Sequence, residues 1–265
     1  MIERQGLRIA AVSYDSREVL QSFALKYQIR FPLLSDRDSA VIRSFGILNT
    51  NIATGLRAHG VPHPVEYLIA DNGKVIRKYF VPNYQHRVTA SAVVLREFGV
   101  ASDDAPIVTL RSGALTVEVG PSSARAFAGQ ELGFFAKFNL ETGWHVYGAP
   151  LPEAYTTTSV RFDGRQIVRQ FFDLPSAVPL PNGVLKETLP VYTGSFRGVG
   201  SLLLRFPLDD GETILSGHVR FQQCSETICE APETLPFELR LTLEPFMDAT
   251  RSNKVRASQS QGESA

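Results

Sequence analysis

Two residues of the chain can do thiol chemistry, Cys224 and Cys229, both inside FQQCSETICEAPETLP (Phe221 to Pro236). A thiolate is a nucleophile and a metal ligand, and it can be oxidised. The preceding GHVRFQQ places Val219, Phe221 and Gln223 on one face and His218, Arg220 and Gln222 on the other, which is strand alternation. Cys224 continues the polar face, so it is expected near the surface at a strand end. SETI then returns the chain, and PFELRLTLE resumes the alternation once Pro232 and Pro236 have limited pairing. Two cysteines across so short a reversal reach disulfide geometry with little backbone movement. Three chemistries fit. A structural staple would close a small loop and stabilise little. A redox-active pair would exchange with an incoming thiolate, for which exposure is needed. A metal site would recruit His218 or His145, giving an incomplete zinc set at the wrong spacing for a knuckle.

The stretch resembles the N-terminal periplasmic domain of the thiol:disulfide interchange protein DsbD. There an aromatic residue and a glutamine precede the first cysteine, and prolines and Glu-Thr follow the second. The matching residues are Phe221, Gln222 and Gln223 before Cys224, and Glu230, Ala231, Pro232, Glu233 and Thr234 after Cys229. GWHVYGAPL (Gly143 to Leu151) and LPVYTG (Leu189 to Gly194) extend the match over roughly residues 113 to 245. The resemblance implies a redox-active pair and a thioredoxin-like donor or acceptor joined through a mixed disulfide; Cys229 is expected to be attacked first. The resemblance also implies that His145 and Tyr147 line the cysteine pocket, with Tyr192 a further lining residue. A histidine there would promote thiolate formation, by taking a proton or as a cation beside the sulfur. The family carries an aromatic cap loop; the equivalent PLPNGVLKE (Pro179 to Glu187) has no aromatic residue, and the resemblance implies Leu185 as the substitute there.

Those cysteines must be positioned by a chain of 265 residues, long enough for two ordinary domains. The net charge is zero, so no electrostatic case exists for nucleic acid or an anionic membrane. No apolar run reaches the length of a membrane span. MIERQGLRIAAVSYD has no signal-peptide pattern, although the resemblance implies a periplasmic or other extracytoplasmic protein. No cofactor is expected.

Residues 1–100 alternate strand and helix signals. LRIAAVSYD reads as a strand covered on both faces. Asp15 or Ser16 caps a helix with Val19, Leu20, Phe23 and Tyr27 on one face. FPLLSD is extended, AVIRSFG is a second helix, VEYLIAD and KVIRKYF form a hairpin about Asn72-Gly73, and HRVTASAVVLREFGV is a last helix. This is an α/β layer. VSYDSREVLQSFALKYQIRFPLLSDRDSAVIRSFGI and VPHPVEYLIADNGKVIRKYF resemble the peroxiredoxin (AhpC/TSA) branch of the thioredoxin superfamily. The resemblance implies a partner-facing cis-proline at Pro64. His59 and His63 beside it read as polar loop residues, and Arg30, Arg37 and Arg43 as solvated. Residues 1 to 223 contain no cysteine, so the family's peroxidatic thiolate is missing. The expectation is an incomplete thioredoxin-like layer, truncated before this sequence starts, that lacks the strand and helix of the catalytic cysteine.

Residues 101–112 read as a polar linker around Asp103, Asp104 and Pro106. Residues 113–246 are β-rich, with about seven strand candidates punctuated by Gly, Pro and Asp, which predicts an antiparallel immunoglobulin-like sandwich. Residues 247–265 are polar and expected to be disordered. The whole is a two-domain α/β plus all-β chain. Its function is expected to be thiol-disulfide exchange; the alternative is a non-catalytic binding or scaffold sandwich with a structural disulfide and a relict thioredoxin-like domain.

Overall fold

The structure, a computed structural model, describes residues 2–53, 55–56, 59–80, 87–182, 187–206, 208–209 and 211–244. The chain forms two compact units, one over Ile2–Arg87 and one beginning at Val88. The boundary therefore falls before the helix expected to close the first domain. The tail at 247–265, and with it the expectation of disorder, lies outside the described residues.

The first unit runs β1 (Ala11–Ser13), α1 (Arg17–Tyr27), β2 (Leu33–Ser35), α2 (Ala40–Ser44), β3 (Val65–Ile69) and β4 (Val75–Phe80). Ser16 caps α1, its Oγ accepting from the Val19 N–H at 3.4 Å. FPLLSD, expected as an extended piece, supplies β2, which pairs in parallel with β1. β3 and β4 form the expected antiparallel hairpin. Among the described residues these are two separate two-stranded sheets. LRIAAVSYD is not covered on both faces: only three of its residues are strand, and Ile9 and Val12 are exposed. On α1 only Leu20 is buried, and Val19, Phe23 and Tyr27 are exposed. The apolar face is present, but the described residues of this unit do not cover it.

The chain crosses into the second unit through β5 (Arg87–Val88) and continues as α3 (Ala90–Phe98), β6 (Val108–Ser112), β7 (Leu115–Pro121), β8 (Arg125–Phe127) and β9 (Gln130–Leu140). Then come β10 (His145–Tyr147), β11 (Ser159–Phe162), β12 (Ile167–Asp173), β13 (Val178–Asn182) and β14 (Glu187–Thr193). The last are β15 (Ser195–Leu204), β16 (Gly211–Phe221), β17 (Gln223–Cys224) and β18 (Glu233–Glu244). One sheet has the order β12-β15-β9-β7-β6, a second β11-β16-β18-β8, and a third, smaller one β13-β14-β10-β17. Along these three strand orders neighbours pair antiparallel, except β18 and β8, which are parallel. Val117, Phe134, Phe138 and Leu202 of the first sheet meet Val160, Leu215, Val219 and Leu239 of the second in one core. The alternation that the sequence showed is the alternation that fills this core.

Two segments differ from expectation. β6 takes up the end of the predicted linker and pairs with β7, because Val108 and Leu110 have apolar partners in the core. Helix α3 packs on β9 and buries Ala92, Val94 and Leu95. Thr89 caps it through Oγ1, accepting from the Ala92 N–H at 3.1 Å, and donates its own N–H and hydroxyl to the Glu131 carbonyl. Gly133 lets the helix approach, since a Cβ there would meet Ala92.

Candidate functional site

The cysteines lie where the second sheet ends and the smaller sheet begins. β16 stops at Phe221, and two residues on, β17 pairs antiparallel with β10, with Cys224 opposite His145 and Gln223 opposite Val146. That change of sheet breaks the alternation read from sequence. Cys224 is fully buried, which corrects the expectation that it sits near the surface, while Cys229 is exposed. The two are joined in a disulfide with Cα atoms 4.2 Å apart. The turn between them is held by Ser225, whose N–H donates to the Ile228 carbonyl at 2.7 Å and whose Oγ accepts from the N–H groups of Thr227 and Ile228.

Residues opposite one another in a ladder share a face, so His145, Tyr147 and Cys224 point the same way. The Tyr147 hydroxyl donates to Cys224 Sγ at 3.2 Å and lies 3.5 Å from Cys229 Sγ. Tyr147 is buried, in a cluster with Leu189, Val191 and Cys224, and packs against Tyr155 with ring centroids 5.0 Å apart. Burial, and then the neighbouring Tyr155, push its hydroxyl above the usual phenol range, so it remains a donor. His145 meets the Tyr147 ring edge-on at 5.3 Å. Burial holds its imidazole below the usual histidine range, so it is neutral at pH 7 and does not supply the expected cation.

The other candidates fall elsewhere. Tyr192 is opposite Val146 and therefore on the other face from Tyr147. Its hydroxyl donates to the Pro175 carbonyl at 2.9 Å, and its ring stacks on Phe196 within the sandwich core, so it does not line the cysteine pocket. Leu185 lies outside the described residues. Pro64 belongs to the first unit, and its peptide bond is not cis; the cis bond among the described residues is Ala149–Pro150. In the same unit, His59 Nδ1 is 3.4 Å from the Ile52 carbonyl. His218 pairs with Asp163 at 3.0 Å, and no cluster suited to a metal is found among the described residues.

Sequence reading missed the two glutamines as site residues. Gln222 and Gln223 are both buried, and both reach Glu230 beyond the second cysteine. Gln223 also accepts from the Ala114 N–H, and Gly113 must be glycine there: its φ is +51°, and a Cβ would strike the Gln223 amide. The available signal was two adjacent amides at a strand end, where one face should have been apolar.

Residues 1–78 match the AhpC/TSA family. Peroxiredoxin Bcp of Escherichia coli K12 is 32% identical over 74 residues, 28% of this chain and 47% of that protein. The chain thus spans about half the length of the curated relatives it matches. Among solved structures, the N-terminal periplasmic domain of ScsB from Proteus mirabilis shares 15% identity over 57% of this chain and 56% of its own, with a TM-score of 0.37. The reduced N-terminal domain of DsbD from Neisseria meningitidis shares 12% over 42% of this chain and 82% of its own, with a TM-score of 0.28. The peroxiredoxin resemblance drawn from the sequence thus has its counterpart in the family matched by residues 1–78.

Proposed function

We propose that the second unit is a thiol-disulfide exchange module acting through Cys224 and Cys229 on a thioredoxin-like partner. The observation that carries this reading is the asymmetry of the pair: Cys229 is exposed, while Cys224 is buried under the Tyr147 hydroxyl. A partner thiolate attacks Cys229 Sγ, the S–S bond breaks, and the electron pair passes to Cys224 Sγ. A thiolate appearing there is buried and needs a donor, which Tyr147 provides. The partner's second thiolate then attacks its own sulfur in the mixed disulfide, releasing Cys229. The partner leaves oxidised, and the chain is left as a dithiol with two protons taken up.

An extracytoplasmic site suits this chemistry, since disulfides persist in oxidising compartments. The expected immunoglobulin-like topology of the sandwich, and a thioredoxin-like role for residues 2–87 in meeting partners through the Pro64 region, belong to the same reading. With no cysteine in residues 1 to 223, the first unit supplies no peroxidatic thiolate.

The burial of Cys224 also suits a second reading, a structural disulfide in a binding or scaffold sandwich. The test is to mix the oxidised chain with a thioredoxin-like protein whose second active-site cysteine is replaced by alanine, so that attack stalls at the mixed disulfide. Peptide mapping is expected to find the partner on Cys229. No adduct at any partner concentration would establish the structural reading, and an adduct on Cys224 would overturn the order of attack.

A further inference from the structure

The reversal that carries the cysteines is closed a second time, without sulfur. Gln222 Nε2 donates to the Glu230 carbonyl at 3.0 Å, and Gln222 Oε1 accepts from the Thr156 N–H at 3.1 Å. Gln223 Nε2 donates to Glu230 Oε2 at 2.6 Å and to the Ser112 carbonyl at 3.4 Å, while Gln223 Oε1 accepts from the Ala114 N–H at 3.1 Å. The Glu230 N–H donates back to the Gln223 carbonyl at 3.0 Å. These bonds join the two residues before Cys224 to the residue after Cys229. Gln222 and Gln223 are only 9% and 1% exposed, so losing a partner would leave a buried amide unpaired. None of the clasping atoms is a sulfur, so none of these bonds is itself broken when the S–S bond is.

We propose that the clasp of Gln222, Gln223 and Glu230 sets the redox poise of the pair, by holding the two thiols of the reduced chain at ring-closing distance. The proposal rests on the thiol-exchange reading and assigns these three as positioning residues. Reduction by glutathione converts the disulfide and two glutathione thiols into a dithiol and one glutathione disulfide. The reverse step closes the ring, and its driving force includes the effective concentration of one cysteine about the other. A clasped reversal keeps that concentration high, because little chain freedom remains to be lost on closure. Without the clasp, SETI and the residues after it gain freedom in the dithiol, and the disulfide becomes easier to reduce.

The experiment is a redox titration of the full chain and its variants against glutathione, or against dithiothreitol where glutathione does not reduce it. Glu230→Ala removes the Gln223 acceptor at a partly exposed position, and Gln222→Ala removes the other side-chain link. Each is expected to lower the effective concentration about tenfold, raising the potential by about 30 mV for this two-electron couple. Glu230→Gln keeps an oxygen for Gln223 Nε2 and should titrate close to the unmodified chain. Unchanged potentials in both alanine variants would overturn the proposal, including a result in which only their melting temperatures fall. A loss in Glu230→Gln as large as in Glu230→Ala would equally overturn it, by making charge the cause. Failure of the exchange reading looks different: the unmodified chain would resist reduction by glutathione and form no mixed disulfide with a thioredoxin-like partner, whatever the variants do relative to it.

Discussion

The Tyr147 hydroxyl donates to Cys224 Sγ at 3.2 Å, from a ring fixed by Tyr155 on one side and His145 on the other. Its proton is retained through the neutral range, because burial raises its titration above that of a free phenol. Tyr147→Phe keeps the packing and removes only the donor. A hydrogen bond to a charged group is worth about 1.5–3 kcal/mol, so reduction by a thioredoxin-like donor should slow roughly ten- to hundredfold. Stopped-flow reduction kinetics measure this, and an unchanged rate would remove Tyr147 from the exchange step. Because the folded-state value is raised, the stability that Tyr147 contributes is present below about pH 10 and lost as pH rises above it.

His145 gives the opposite sign. Its folded-state value is lowered by burial, so the unfolded chain takes up the proton first as the solution is acidified. Stability is full above about pH 6.5 and falls as pH drops from there toward the folded value. The imidazole stands opposite Cys224 in the ladder, so its change of charge is expected to be felt at the sulfur. Alkylation of the reduced chain should therefore show an inflection below about pH 6.5 that is missing in His145→Ala. Superimposable profiles between about pH 5 and 9 would leave His145 a packing residue.

What the sequence conveyed was periodicity, and periodicity is a statement about one element at a time. The apolar residues at Val117, Val119, Leu215 and Val219 alternate and are all buried in the sandwich core. The pairing of Cys224 with Cys229 was legible because five positions across a reversal leave little else within reach. The burial of Cys224 was not legible, since it follows from the chain leaving β16 and joining β10 in a different sheet. Tyr192 was misplaced for a related reason. It neighbours Val191, which does face Tyr147, and in a strand one step along the chain reverses the side. The assignment of α3 to the first layer failed because its apolar face is equally compatible with any sheet. On β9, Gly133 leaves room for Ala92, where a Cβ would strike it.

The two units differ in how much apolar surface their own residues bury, and this difference should be measurable. In the first unit, Leu20 and Ile42 are the buried apolar side chains among the described residues, while Ile9, Val12, Val19, Phe23 and Leu34 are exposed. Among the described residues its strands pair two by two, β1 with β2 and β3 with β4. A two-stranded sheet is marginal in water unless another layer covers it. The second unit places Val219, Phe221 and Leu239 at zero exposure within a core drawn from two sheets. Local opening free energy follows burial and pairing, and ranges from near zero to the global value within one protein. Amide hydrogens of Val65–Ile69 should therefore exchange well before those of Ile214–Phe221, and limited proteolysis should cut within residues 2–87 first. Hydrogen exchange read by mass spectrometry on the intact chain decides this. Equal protection of the two strands would mean that β3 is held by burial that its two-stranded pairing does not provide, and that the first unit is completed in solution by other parts of the protein.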